Sequence, residues 1–216
     1  MVSPRNFATL CLTEGQTLYV PGFLGKISSL STNRWAQALS RHAPEGAHRA
    51  RWLAGRGLLS RLLAPTPLPE IIHNEQGKPL FAGDYPLWFS LSHSGDEIAL
   101  IISDEGNVGC SLERIRPQDN WRTLANAVFS GAEHEELEKE TPERQLTAFW
   151  RIWTRKEAIV KQCGGHAWQM VSIDSTASAF HSVSHCRIDS LSLAVCTATP
   201  FELSAGLIHS ADDVLA

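Results

Sequence analysis

Two glutamates carry most of the chemical interest in this chain. The first, Glu113, lies in the stretch "VGCSLERI", Val108 to Ile115. Its alternation predicts a short strand with Val108, Cys110 and Leu112 on one face and Gly109, Ser111 and Glu113 on the other. A second acid two residues before Glu113, about 7 Å away along the chain, would make the start of a metal site. The residue there is Ser111. Glu113 therefore reads either as half of a metal site that lacks a partner or as a charge on a solvated edge. The second glutamate, Glu157, lies in "LTAFWRIWTRKEAIVK", Leu146 to Lys161. There Leu146, Phe149, Trp150, Trp153 and Val160 share one helical stripe. Glu157 falls on that same stripe, where a carboxylate is costly to bury unless a cation compensates. From this helix alone, an ion pair with Lys161 at i+4 is the commoner explanation and a bound metal the sharper one.

Other polar residues suit phosphate chemistry. "SHSG", Ser92 to Gly95, offers hydroxyls, an imidazole and a turn glycine that could donate to phosphate oxygens, and it is equally an ordinary hairpin loop. "QGKP" holds Lys78 between Gly77 and Pro79. Arg49, Arg51, Arg56 and Arg61 could be a phosphate patch, although a solvated helix face explains any one of them.

The elements that must position these groups read as mixed α+β. A helix is expected over about Gly46 to Leu63, ended by the prolines of "APTPLPE". "NEQGKP" reads as a turn. Strands are expected at Leu87 to Leu91 and Ile98 to Ser103, joined by "SHSGDE" as a loop. A helix from near Pro142 to Gln162 is closed by Gly164 and Gly165, and strands return at Val183 to Ile188 and Ser192 to Thr199. Two halves meet near Asp104 to Val108.

Composition narrows the class. The 216 residues are 43% hydrophobic and 19% charged, which is globular. A net charge of -4 gives no support to nucleic-acid binding. No apolar run approaches a membrane span, and the N-terminus is too weakly apolar for a secretory signal. Five cysteines, no two closer than ten residues, offer neither a metal knuckle nor a dense disulfide framework. A reducing compartment, the cytoplasm, is expected.

Taken together, "GKP", "FSLSHSGDEIALIIS", "VGCSLE" and "FWRIWTRKEAIVKQCGG", in this order and at these separations, resemble the 4′-phosphopantetheinyl transferase superfamily. The family pattern is a G-K-P turn, an S-H-S loop, a G-[VI]-D-[VIL]-E strand and a W-[ST]-x-K-E-[AS]-x-x-K helix. The resemblance covers about Leu18 to the C-terminus and includes "LSLAVCTATP". It implies a monomer of two pseudo-symmetric α+β halves, 18–105 and 106–216, with the active site in the cleft between them and the metal-binding motifs in the second half. Residues 1–17 would then be a peripheral extension.

The activity implied is transfer of the phosphopantetheine arm of coenzyme A to a serine of an apo acyl carrier protein, with Mg²⁺, releasing adenosine 3′,5′-bisphosphate. Position by position, Lys78, Ser92 and His93 match residues that contact coenzyme A phosphates. Arg51 matches an arginine near the adenosine and its 3′-phosphate. Glu113 and Glu157 match metal-binding acids, with Glu157 or a metal-bound water as base toward the carrier serine. Lys161 matches a lysine on the reacting phosphate, and Lys156 a further coenzyme A-binding lysine of the motif.

Ser111 stands where the pattern has an aspartate. A hydroxyl can still serve, because Mg²⁺ is commonly held by one or two carboxylates plus substrate phosphates and water. Two readings follow: a transferase with weakened metal affinity, or an inactive relative that still binds coenzyme A or the carrier. An unrelated Mg²⁺ phosphohydrolase has little support, since nothing supplies a dedicated water-activating cluster.

Overall fold

In a computed structural model, residues 22–177 and 182–215 are described. The expected peripheral extension, residues 1–17, the start of the resemblance near Leu18, and Cys11 lie outside them. The chain runs β1 (Gly22–Lys26), α1 (Ile27–Leu30), α2 (Arg34–Ala38), α3 (Arg49–Leu63), β2 (Ile71–His73) and β3 (Pro79–Phe81). It continues with β4 (Trp88–Ser94), β5 (Glu97–Ser103) and β6 (Gly109–Arg114). Then follow α4 (Trp121–Val128), α5 (Gly131–Glu138), α6 (Pro142–Cys163) and a 3₁₀ turn, Ala167–Ser172. Strands β7 (Ser182–Ile188), β8 (Leu191–Thr197) and β9 (Ile208–Ser210) and helix α7 (Ala211–Leu215) complete it. The mixed α+β class is as the sequence implied.

Two sheets form the frame, one in the order β4-β5-β1-β9 and one in the order β6-β8-β7. Their central strands, β5 and β8, are buried along their whole length, as expected for strands covered on both faces. Ala99 and Ile101 of β5 pack with Cys110 and Leu112 of β6 and Leu193 and Val195 of β8, which joins the two sheets through one apolar layer. The C-terminal segment crosses back: β9 pairs parallel with β1, and Ala211, Val214 and Leu215 of α7 enter the core shared by β1, α3, β4 and β5.

The expected "SHSGDE" loop is mostly strand. Ser92, His93 and Ser94 continue β4 and pair with Ala99, Ile98 and Glu97. Only Gly95, left-handed at φ 61°, and Asp96 make the turn. The extension has a physical reason on the serine face. Ser90, Ser92 and Ser94 accept the backbone N–H groups of Cys110, Leu112 and Arg114, each at 3.0 Å. Buried serines with a bonding partner at every second residue hold the strand straight where a solvated loop was expected. Strand β7 repeats the device, with Ser182 and Ser184 accepting the N–H groups of Phe201 and Leu203 at 2.8 and 3.1 Å.

Helix α6 is the longest element, and its ends follow its sequence. Pro142 opens it, where the missing N–H costs nothing. Gly164 ends it in the left-handed conformation at φ 70°. The helix lies directly on β6: a Cβ at Gly109 would come within 2.1 Å of the Ala158 carbonyl oxygen. Only glycine permits that approach, and the approach brings Glu157 and Lys161 down onto the face of Ser111 and Glu113.

Candidate functional site

The β6 face opposite its apolar side meets α6. Ser111, fully buried, donates its hydroxyl to Glu157 Oε2 at 2.6 Å. Glu113, half-buried two residues on, accepts from Ser94 Oγ at 2.8 Å. Burial pushes the Glu113 carboxyl above the usual range and the charge of Glu157 adds to this, while the Ser94 hydrogen bond opposes it. The solvated-edge reading of Glu113 is therefore not what the fold builds.

Lys161 does not pair with Glu157 among the described ion pairs. Its ammonium donates to Ser92 Oγ at 3.0 Å. The i+4 pairing expected from the helix alone is replaced by two bonds that cross elements, Glu157 to β6 and Lys161 to β4.

Two hollows flank this seam. One, of about 240 Å³, is lined by Lys78, Ser90, Leu91, Glu157, Lys161 and Met170 among others, so both β4 and α6 contribute. The Lys78 ammonium reaches across it to the carbonyls of Val108 at 2.9 Å and Gln162 at 3.4 Å. That leaves one of its three protons for a ligand. Burial pulls the Lys78 pKa down. The second hollow, of about 540 Å³, is lined by Arg51, His93, Ser94, Glu113 and Arg116 among others. Arg51 bridges His93 Nε2 at 2.9 Å and His48 Nδ1 at 2.5 Å. A guanidinium only donates, so His93 Nε2 and His48 Nδ1 act as acceptors in these two bonds. Burial, and then the charges of Arg51 and Lys161, hold the His93 pKa below its ordinary value.

Lys156 is placed elsewhere, against the expectation that it binds coenzyme A. It is fully buried, and its ammonium donates to Glu133 Oε2 at 2.6 Å and to the Ile173 carbonyl. Glu133 also accepts the Ser175 N–H at 2.8 Å. The helical period explains the outcome: Lys156 sits about 100° around α6 from Glu157 and faces α5 rather than the hollows. The four arginines separate too. Arg49 donates to the carbonyls of Ser40, Ala43 and Pro44, Arg56 is buried beside Trp52, and Arg61 lies over Trp35. Arg51 alone of the four lines the larger hollow. Residues the sequence did not single out are His48, Ser90 and Arg116, and Ser94 entered only as part of "SHSG". The serines had a signal, their alternation in "SLSHS".

Among the described residues no group of three or more His, Cys, Asp or Glu could hold a metal ion. The donor set at the seam is two carboxylates and a hydroxyl. That set fits Mg²⁺, which keeps several waters and takes one or two carboxylates beside substrate phosphates.

A sequence model of the 4′-phosphopantetheinyl transferase superfamily matches residues 107–211. The chain belongs to that superfamily. It is 64% identical over 188 residues, 87% of this chain and 97% of the relative, to the 4′-phosphopantetheinyl transferase AcpT of Salmonella typhi. It is 61% identical over 191 residues, 88% of this chain and 97% of the relative, to AcpT of Escherichia coli (strain K12). The 4′-phosphopantetheinyl transferase HetI of a Nostoc strain is more distant, 32% identical over 146 residues, 63% of this chain and 60% of the relative.

Proposed function

We propose that the chain transfers the 4′-phosphopantetheine arm of coenzyme A to a serine hydroxyl of an apo acyl carrier protein. The observation that carries this reading is the meeting of Glu113, Glu157 and Lys161 along the β4–β6 seam, between a hollow that holds Lys78 and one that holds Arg51 and His93.

The residues divide the work by chemistry. Arg51 and His93 take the phosphate at the adenosine end. Ser92, which accepts from both Leu112 N–H and Lys161, keeps its own proton to donate to a phosphate oxygen. Lys161 and Lys78 offset negative charge on the pyrophosphate. Glu157 takes the proton of the carrier serine. The serine oxygen then bonds to the pantetheine-side phosphorus, and the bond from that phosphorus to the bridging oxygen breaks. Adenosine 3′,5′-bisphosphate leaves. Glu113 and Glu157, with Ser111 beside them, would hold Mg²⁺, which supplies charge neutralisation on the phosphates when bound. The metal-bearing motifs belong to the second half, 106–216, and the 240 Å³ hollow takes the pantetheine side of the cleft.

The chain acts as a monomer in the cytoplasm on this reading. Residues of both halves already line the hollow within one chain. The four described cysteines are free thiols, and among the described residues no helix is long and apolar enough to cross a membrane. One observation favours a second reading, a binding module without turnover: Ser111 in place of the family aspartate. Incubation with coenzyme A, Mg²⁺ and a panel of apo carrier proteins, read by intact-protein mass, separates the two. Transfer to a carrier supports the enzyme. Coenzyme A binding with no carrier modified supports the module.

A further inference from the structure

We infer that Ser94 is a positioning residue whose hydroxyl orients the Glu113 carboxylate toward the cation; this rests on the metal reading proposed above. Ser94 is buried, and its hydroxyl both accepts and donates a described hydrogen bond. The oxygen accepts the Arg114 N–H at 3.0 Å, which pins it to β6. A hydroxyl has one proton and two acceptor sites, so its proton is what remains to fix Glu113, and it goes to Oε2 at 2.8 Å. An ionised carboxylate only accepts. Ser94 holds one Glu113 oxygen and leaves the other without a bond among the described residues.

The serine ladder shows that this is a local assignment of a general device. All three serines of β4 make the same bond to β6, yet they treat site residues differently. Ser92 accepts from Lys161, whereas Ser94 donates to Glu113. One residue type on one strand face thus serves a cation at one step and an anion at the next. The second half supplies a natural comparison. "SLSHS", Ser90 to Ser94, is echoed by "SVSHC", Ser182 to Cys186. Ser184 makes its bond to Leu203 N–H at 3.1 Å and, among the described hydrogen bonds, nothing else. At the position equivalent to Ser94 that half carries Cys186, a weak donor, and among the described hydrogen bonds no carboxylate is held there.

The test uses Mn²⁺ as the probe, its binding to the full chain with coenzyme A followed by electron paramagnetic resonance. Ser94→Ala is expected to weaken Mn²⁺ binding about 10–100-fold, the usual cost of removing a group that orients a metal ligand. The loss of Mn²⁺ affinity should exceed any loss of coenzyme A affinity measured without metal. Ser94→Thr, which keeps the hydroxyl, should recover most of the affinity. Ser184→Ala loses the same type of backbone bond, so its thermal midpoint should fall while Mn²⁺ binding stays put. Undiminished Mn²⁺ binding by Ser94→Ala, or an equal loss in Ser184→Ala, would overturn the inference alone. Failure of the unaltered chain to bind Mn²⁺ with coenzyme A present would overturn both the inference and the metal reading beneath it.

Discussion

Ser111 Oγ and Glu157 Oε2 lie 2.6 Å apart and join β6 to α6 by a hydrogen bond. An aspartate at 111 would set a second carboxylate against Glu157 at that spot, and the two would repel unless a cation lay between them. Serine replaces that repulsion with an attraction, so the strand and helix stay docked without a metal.

Ser111→Asp should therefore change two things together. Without metal the variant should melt lower than the parent, and Mg²⁺ should raise its melting point more than it raises the parent's. Transfer at limiting Mg²⁺ should increase, with the gain shrinking at saturation if only metal binding is altered. A melting point indifferent to both the substitution and Mg²⁺ would mean that residue 111 does not border a cation. Glu157→Gln should suppress transfer in either background, since it removes a ligand and the base together.

The buried pair of Lys156 and Glu133 should be structural. Lys156→Met leaves Glu133 charged and unpaired in the interior, which should cost about 3–5 kcal/mol in urea unfolding. Adding Glu133→Gln should restore part of that, because no buried charge then remains. Coenzyme A affinity of the folded double variant should match the parent. A Lys156→Met protein of normal stability that has lost coenzyme A binding would return Lys156 to the site.

Phosphate recognition should be divisible by ligand. Arg51→Ala and His93→Ala should each weaken coenzyme A binding by roughly 1.5–3 kcal/mol, the range for hydrogen bonds to charged groups. Both should leave binding of pantetheine, which carries no phosphate, unchanged in calorimetry. Equal losses for both ligands would point to damage to the fold. Lys78→Ala should cost stability as well as affinity, since its ammonium also ties Val108 and Gln162.

A pH effect should arise far from the phosphates. His185 donates to or accepts from Ser192 Oγ at 2.8 Å, and burial, then Arg151 and Arg155, push its pKa down to about 4 against the partial opposition of Glu136. A base depressed in the folded state stabilises above its unfolded pKa, about 6.5. That contribution is lost as pH falls from about 6.5 toward 4, on the order of 3 kcal/mol in total. His185→Gln should flatten the fall in urea-unfolding free energy over this window. A slope unchanged by the substitution would show that His185 titrates normally.

Much of the frame was legible because its signals are local. The stripe in "LTAFWRIWTRKEAIVK" located α6, and Pro142 and Gly164 bounded it. Alternation in "VGCSLERI" placed Ser111 and Glu113 on one face, where they are found. The miss over Ser92 to Ser94 has a definite cause. Serine, histidine and glycine in a row favour turns locally, but the bonds that make them strand go to β6, some twenty residues away. The fate of Lys156 was hidden for the same reason: Glu133, its partner, lies on α5 and has no sequence spacing that announces the pair. The return of β9 and α7 to the N-terminal sheet is likewise a long-range event, set by pairing with β1.

The central claim is a covalent one, and the intact mass of an apo acyl carrier protein tests it most directly. After incubation with the chain, coenzyme A and Mg²⁺, the carrier should gain the mass of one 4′-phosphopantetheine arm, on its serine, with adenosine 3′,5′-bisphosphate released in equal amount. Omission of Mg²⁺ or the substitution Glu157→Gln should abolish the gain. An unmodified carrier across a panel of apo carriers, with coenzyme A bound by the chain but intact, would contradict the account.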